Sequence, residues 1–220
     1  MVDNEQNLDT IRLNEEDVVI ISVPCYSGRV PDVAVEQLLK MNGAGTRAVL
    51  VCVYGNRAYD DALLELKDVA NQIGFVVIAV VAAVAEHSIA RQFATGRPDA
   101  QDTTRLSDFA KQIFRKLSVA DISEPTVPGN HPYKKAGHVG IVPKPTKNCN
   151  QCGECVQECP MQAINNDDPR KVDKQACISC MRCVSVCPRS GRKVSPAMCV
   201  VAGWMLKKEC SKRKEPELYL

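Results

Sequence analysis

The first thing this sequence lacks is the pattern of a leader. Its opening residues are polar and acidic, with no cationic segment and no apolar one behind it, so no secretory signal peptide is expected. A long hydrophobic run is missing too. The longest, "GFVVIAVVAAVA" at 74–85, falls short of the roughly 20 residues that a membrane-spanning helix needs, and it fits a buried strand. Charge of one sign is also absent. With 28 Lys/Arg against 26 Asp/Glu the chain carries +2, which points to no nucleic-acid or membrane-surface partner. Hydrophobic residues at 45% and charged residues at 25% are ordinary for a globular protein. Together these features predict a cytoplasmic protein.

Cysteine, by contrast, is abundant. Twelve cysteines without an export signal argue for metal or redox chemistry instead of a disulfide framework. Eight fall in two runs, "CNQCGECVQECP" from Cys149 and "CISCMRCVSVCP" from Cys177, each reading C-x2-C-x2-C-x3-C-P. The second run repeats the first at a constant offset of 28 residues. This spacing is that of bacterial ferredoxins with two [4Fe–4S] clusters, in which three cysteines of one run and the last of the other hold each cluster. By that rule Cys149, Cys152, Cys155 and Cys187 form one ligand set, and Cys177, Cys180, Cys183 and Cys159 the other. Pro160 and Pro188 fix φ just after the crossing ligands and turn the chain away.

Structural zinc is the competing reading, because C-x2-C pairs also build zinc ribbons. A third cysteine two residues on, and a proline closing both runs, disfavour it. The segment between the runs, "AINNDDPRKVD" at 163–173, reads as a short hairpin around an Asn/Asp/Pro turn. With all eight thiolates assigned, no coordination position stays open for a substrate. The expected activity is single-electron transfer with a redox protein partner.

The two halves differ in charge. Residues 1–120 hold 12 Lys/Arg against 16 Asp/Glu, a balance of −4, and residues 121–220 hold 16 against 10, a balance of +6. Such a split predicts two modules. In the first, Val18–Val23, Ala48–Tyr54 and Phe75–Ala85 are continuous apolar runs, the pattern of parallel strands covered on both faces. Helices are predicted over 32–41, 60–73 and 102–117, the last with Leu106, Phe109, Ala110, Ile113, Phe114 and Leu117 at helical spacing. Strands alternating with helices make an open α/β sheet, whose ligands sit beyond the carboxyl ends of the strands. Those ends carry "PCYSGRVP", "YGNRAYDD" and "AEHSIARQFATGRPD".

The order of "PCYSGRVP", "YGNRAYDDALLEL", "AEHS" and "GRPD", followed by two ferredoxin runs and the tail "CSKRKEPELYL", resembles the flavodoxin–ferredoxin fusion family. The resemblance implies an incomplete flavodoxin-like domain over 1–123, a linker over 124–140, an α+β two-cluster ferredoxin domain over 141–195, and a C-terminal helix with a basic tail over 196–220. It also implies FMN, flanked by Tyr26, Ser27 and Gly28 in one loop and by Tyr54, Gly55 and Asn56 in the other. An FMN-dependent oxidoreductase feeding the clusters is therefore the alternative to a simple electron carrier.

The sequence departs from that family at its start. A flavodoxin-like domain holds the FMN phosphate on a glycine-rich loop after its first strand. The seventeen residues before Val18 contain six acidic residues and no glycine, and "LDTIRL" at 8–13 offers a short strand at most. Val18–Val23 then becomes an edge strand, and self-association through that edge makes the first module a docking or dimerisation platform in a third reading. Cys52 reads as a small buried hydrophobe, Cys25 as a loop residue on the flavin side, and Cys199 and Cys210 as plain thiols. His87 reads as hydrogen-bonded structure, and "KKECSKRK" as a solvated helix end.

Overall fold

The computed structural model describes residues 8–137 and 139–220. Residues 1–7 of the acidic N-terminal segment and His138 of the expected linker lie outside the described residues.

Three strands form where the apolar runs predict them: β1 (Val18–Pro24), β2 (Arg47–Tyr54) and β3 (Val76–Val84). They pair in parallel, Val18 opposite Arg47 and Arg47 opposite Val76. Two helices cross over between them, α1 (Asp32–Leu38) and α2 (Ala62–Gln72). Both pack on one face of the sheet, where Ala34, Leu38, Leu63, Leu66 and Ala70 meet Val23, Leu50, Val77 and Val80. Leu63 and Leu66 are fully buried, each contributing on the order of 2 kcal/mol by area removed from water.

The other face is only partly covered. Helix α3 (Ala100–Ser118) lays Ile113 and Leu117 over Val49, Ile78 and Ala79 of β2 and β3. Burial along β1 therefore alternates, and Ile20 is 70% exposed, so this strand is not covered on both faces as its apolar run predicts. The stripe on α3 is also less buried than its spacing predicts, with Phe114 70% exposed. Residues 8–13 form no strand: Leu8–Thr10 make a short 3-10 turn.

A fourth strand comes from the far end of the chain. In sheet order β1 and β2 come first, then β3, and then β6 (Glu217–Tyr219), which pairs antiparallel with β3. The tail "ELYL" is thus sheet edge and not solvated coil. Between β3 and β6 lie the small antiparallel pair β4 (Lys144–Pro145) and β5 (Arg192–Lys193), the short helices α4 (Glu154–Gln157) and α5 (Arg182–Ser185), and α6 (Pro196–Cys210). Pro196 at the first helical position starts α6.

Residues 124–137, expected as a linker, are fastened along the α2 side. Asp61 accepts from the amides of Asn130 (2.9 Å) and Lys134 (2.6 Å), and Lys67 donates to the Pro125 carbonyl. The Tyr133 hydroxyl binds Asp68, and the Arg29 guanidinium lies 4.8 Å over the Tyr133 ring. Backbone amides held by one carboxylate make this a strap. Those hydrogen bonds hold the Asp61 carboxyl below its ordinary range, the Lys134 amide most of all.

Candidate functional site

Each cysteine run folds the same way because each repeats the same backbone turns. Gln151 and Ser179, Gly153 and Met181, and Gln162 and Ser190 all take positive φ, and each pair is related by the offset of 28 residues. The left-handed residue before each short helix (φ 85° at Gly153, 63° at Met181) bends the chain so that the third cysteine of each run enters on the helix. The repeat extends to hydrogen bonds. The Ala163 amide donates to Cys159 Sγ at 3.3 Å, and the Gly191 amide to Cys187 Sγ at 3.1 Å. An ion pair between Arg182 and Glu158 ties α5 to the turn after α4, with Arg182 Nε 2.7 Å from the carboxylate.

The cysteines gather into two groups of four. Cys149, Cys152, Cys155 and Cys187 line one cavity, and Cys159, Cys177, Cys180 and Cys183 line the other. Among the described residues no three Cys, His, Asp or Glu side chains close on a point as a single metal ion requires. Eight thiols around two hollows, with amide donors aimed at sulfur, suit a bulky anionic group that takes four thiolates. Burial raises the Cys180 thiol and pushes Cys183 up to about 12, so loading such a group must displace protons that these sites otherwise retain.

Residues 148–191 match the family described as "4Fe-4S dicluster domain". Over this segment the chain is similar to 4Fe-4S dicluster domains. The chain is also similar to a protein of Porphyra purpurea, an "Uncharacterized protein in rpl9-rpl11 intergenic region". It is 37% identical over 54 residues, spanning 21% of this chain and 72% of that protein. An iron–sulfur electron-transfer role follows from the domain. No helix among the described residues is long and apolar enough to cross a membrane.

A third cavity, of about 940 Å³, lies between the strand ends of the first sheet, the dicluster domain and α6. Tyr26, Ser27 and Gly28 reach it from the loop after β1, and Tyr54 and Gly55 from the end of β2. The first loop is a two-residue turn, Tyr26 and Arg29 exchanging amide–carbonyl bonds of 3.0 and 3.1 Å around Ser27 and Gly28 at positive φ. A Cβ at Gly28 would fall 2.0 Å from Asp60 Oδ2, so only glycine fits. Ile178 and Ser179 of the dicluster domain, and Met198, Val201 and Met205 of α6, complete the wall.

Asn56 does not face this cavity. It is 2% exposed, its amide donates to the carbonyls of Cys210 (2.8 Å) and Lys212 (2.9 Å), and its oxygen accepts from the Lys214 amide (3.0 Å). Beside it Arg97 pairs with the buried Asp102 and donates to the Lys214 carbonyl at 2.6 Å. These residues clamp the C-terminal tail. His87 borders the cavity while its Nδ1 accepts from the amides of Ile89 and Ala90, and burial lowers its affinity for a proton. Cys25 also borders the cavity. Its thiol is lowered chiefly by a hydrogen bond with Cys52.

Sequence reasoning missed one residue that the dicluster domain uses. Arg192 is 2% exposed and lines both cysteine cavities. The signal that could have found it is the repeat itself, which puts Ile164 at the matching position 28 residues earlier.

Proposed function

We propose that this chain is a two-cluster electron carrier, with Cys149, Cys152, Cys155 and Cys187 holding one [4Fe–4S] cluster and Cys159, Cys177, Cys180 and Cys183 the other. The observation that carries this reading is the pair of cavities, each lined by three cysteines of one run and the last of its partner. When bound, such clusters supply reversible one-electron chemistry. The residues around them do the rest. Amides of Ala163 and Gly191 donate to the crossing thiolates, which favours the more negative, reduced charge state. Apolar walls from Pro160, Ile164 and Ile178 keep water from one site, whereas Cys152 is exposed at the other and offers the contact for a redox partner. Anaerobic loading with iron and sulfide tests the proposal. About eight irons and eight sulfides per chain are expected. A preparation that takes only zinc, in four-coordinate sulfur sites, would end it.

The large cavity favours a second reading, in which FMN or a similar flat redox ligand exchanges two electrons there and passes them singly to the dicluster domain. Its support is size and lining: about 940 Å³, with Tyr26 and Tyr54 on one side and Ile178 and Ser179, next to Cys180, on the other. Aromatic rings beside a flat ligand are a favourable arrangement. Fluorescence titration of the cluster-loaded chain with FMN is the test. Absence of saturable quenching up to millimolar FMN removes this reading and leaves the first intact.

A further inference from the structure

Arg192 breaks the internal repeat in a way that calls for an anion. In the first half of the repeat its equivalent is Ile164, a buried apolar side chain against one cysteine cavity. In the second half the same position carries a guanidinium that borders both cavities. Its Nε donates to Cys155 Sγ at 3.3 Å, its Nη1 to the Pro143 carbonyl at 3.2 Å, and its Nη2 to the Pro169 carbonyl. Among the described residues no carboxylate pairs with it. A buried cation without a counter-charge is strongly unfavourable, and two neutral carbonyls orient it without neutralising it. The negative charge it needs is at hand only if the thiolates on either side are in their bound, anionic form.

We propose that Arg192 is a shared positioning residue whose fixed charge raises the reduction potential of both clusters. The proposal rests on the two-cluster reading. Each reduction adds one electron, taken from a low-potential one-electron donor such as dithionite, to a group that is already negative. A guanidinium in a dry site stabilises the added charge more than it stabilises the oxidised form. Because it stays protonated at all relevant pH values, its effect is constant. Because it lies between the two sites, removing it acts on both. A contact to Cys155 alone would act on one.

The test compares the loaded wild type with R192Q and R192K, reading iron content and then both potentials by EPR-monitored titration with dithionite. R192Q is expected to keep both clusters and to shift each equilibrium at least tenfold toward the oxidised form, 59 mV for a one-electron couple. R192K keeps the charge and should restore most of that shift at both sites. Should R192Q fail to load while R192K loads at wild-type potentials, the requirement for charge stands. Unchanged potentials in R192Q, a shift at only one site, or failure of both variants to load would each overturn the proposal. A wild type that loads fewer than about eight irons refutes the two-cluster reading instead, and iron content alone makes that distinction.

Discussion

Replacing Asn56 should loosen the C-terminal tail without touching either cysteine group. Its side chain makes three hydrogen bonds of 2.8 to 3.0 Å to residues 210–214, two to carbonyls and one from an amide, besides a longer one of 3.4 Å accepted from Arg97. At about 1 kcal/mol net for each bond, N56G should lose about 3 kcal/mol. Asn56 also sits at φ 63°, where glycine is at ease and alanine is strained, so N56A should lose about 1 kcal/mol more. For a chain of this length each kcal/mol corresponds to about 2–4 °C in melting temperature. N56G should therefore melt about 6–12 °C below wild type by circular dichroism, with N56A lower still. Trypsin gives a local readout, since cleavage at Lys212, Arg213 and Lys214 should speed up once the tail detaches. Variants that melt within about 2 °C of wild type, with unchanged trypsin rates, would refute the assignment of Asn56 to tail anchoring.

Other outcomes follow from the same geometry. D61A removes the acceptor for the Asn130 and Lys134 amides, so limited proteolysis should cut within 124–137 several times faster than in wild type, and equal rates would argue against a strap. Asp61 and Asp102 both titrate below the ordinary range, chiefly through the Lys134 amide and Arg97 respectively. Their stabilisation is complete above the unfolded value near pH 4 and fades as pH falls through the depressed folded values, so a melting series from pH 7 to 2 should fall steeply only below about pH 4. D61N should flatten part of that fall. Sedimentation tests the open edge of β1: a concentration-dependent dimer that I20K abolishes is expected, whereas a monomeric wild type at high concentration would remove self-association from consideration.

Much of this molecule could be read before its structure was known, and the parts that could not share a physical reason. The cysteine runs were legible because four thiolates on one cluster demand particular residues at particular spacings. The strands of the first sheet were legible because parallel strands bury continuous apolar runs. Coverage was harder. Nothing in "VVIISV" says that α3 packs on β2 and β3 and leaves Ile20 in water. Strand β6 is three residues long, below the length at which alternation means anything, and it is held partly by a tyrosine pair, Tyr219 with Tyr59, that only folding brings together. The strap looked like a flexible linker because proline-rich composition is silent on which carboxylate will catch its amides. Asn56, a loop amide expected beside a ligand, is buried and structural, and Arg192, which the sequence analysis did not single out, is buried between the cysteine cavities.

The placement of β6 beside β3 has a consequence for how the chain can move. Every residue from 85 to 216, the dicluster segment included, leaves from one strand and returns to its immediate neighbour. The cysteine sites thus hang on a loop with both feet on the same sheet, and the strap and the tail clamp shorten that loop further. A carrier tethered at one end can swing between donor and acceptor. This one is closed like a ring, so its partners must come to it, and anything that stabilises the iron-bearing segment also helps to keep β6 zipped to the sheet.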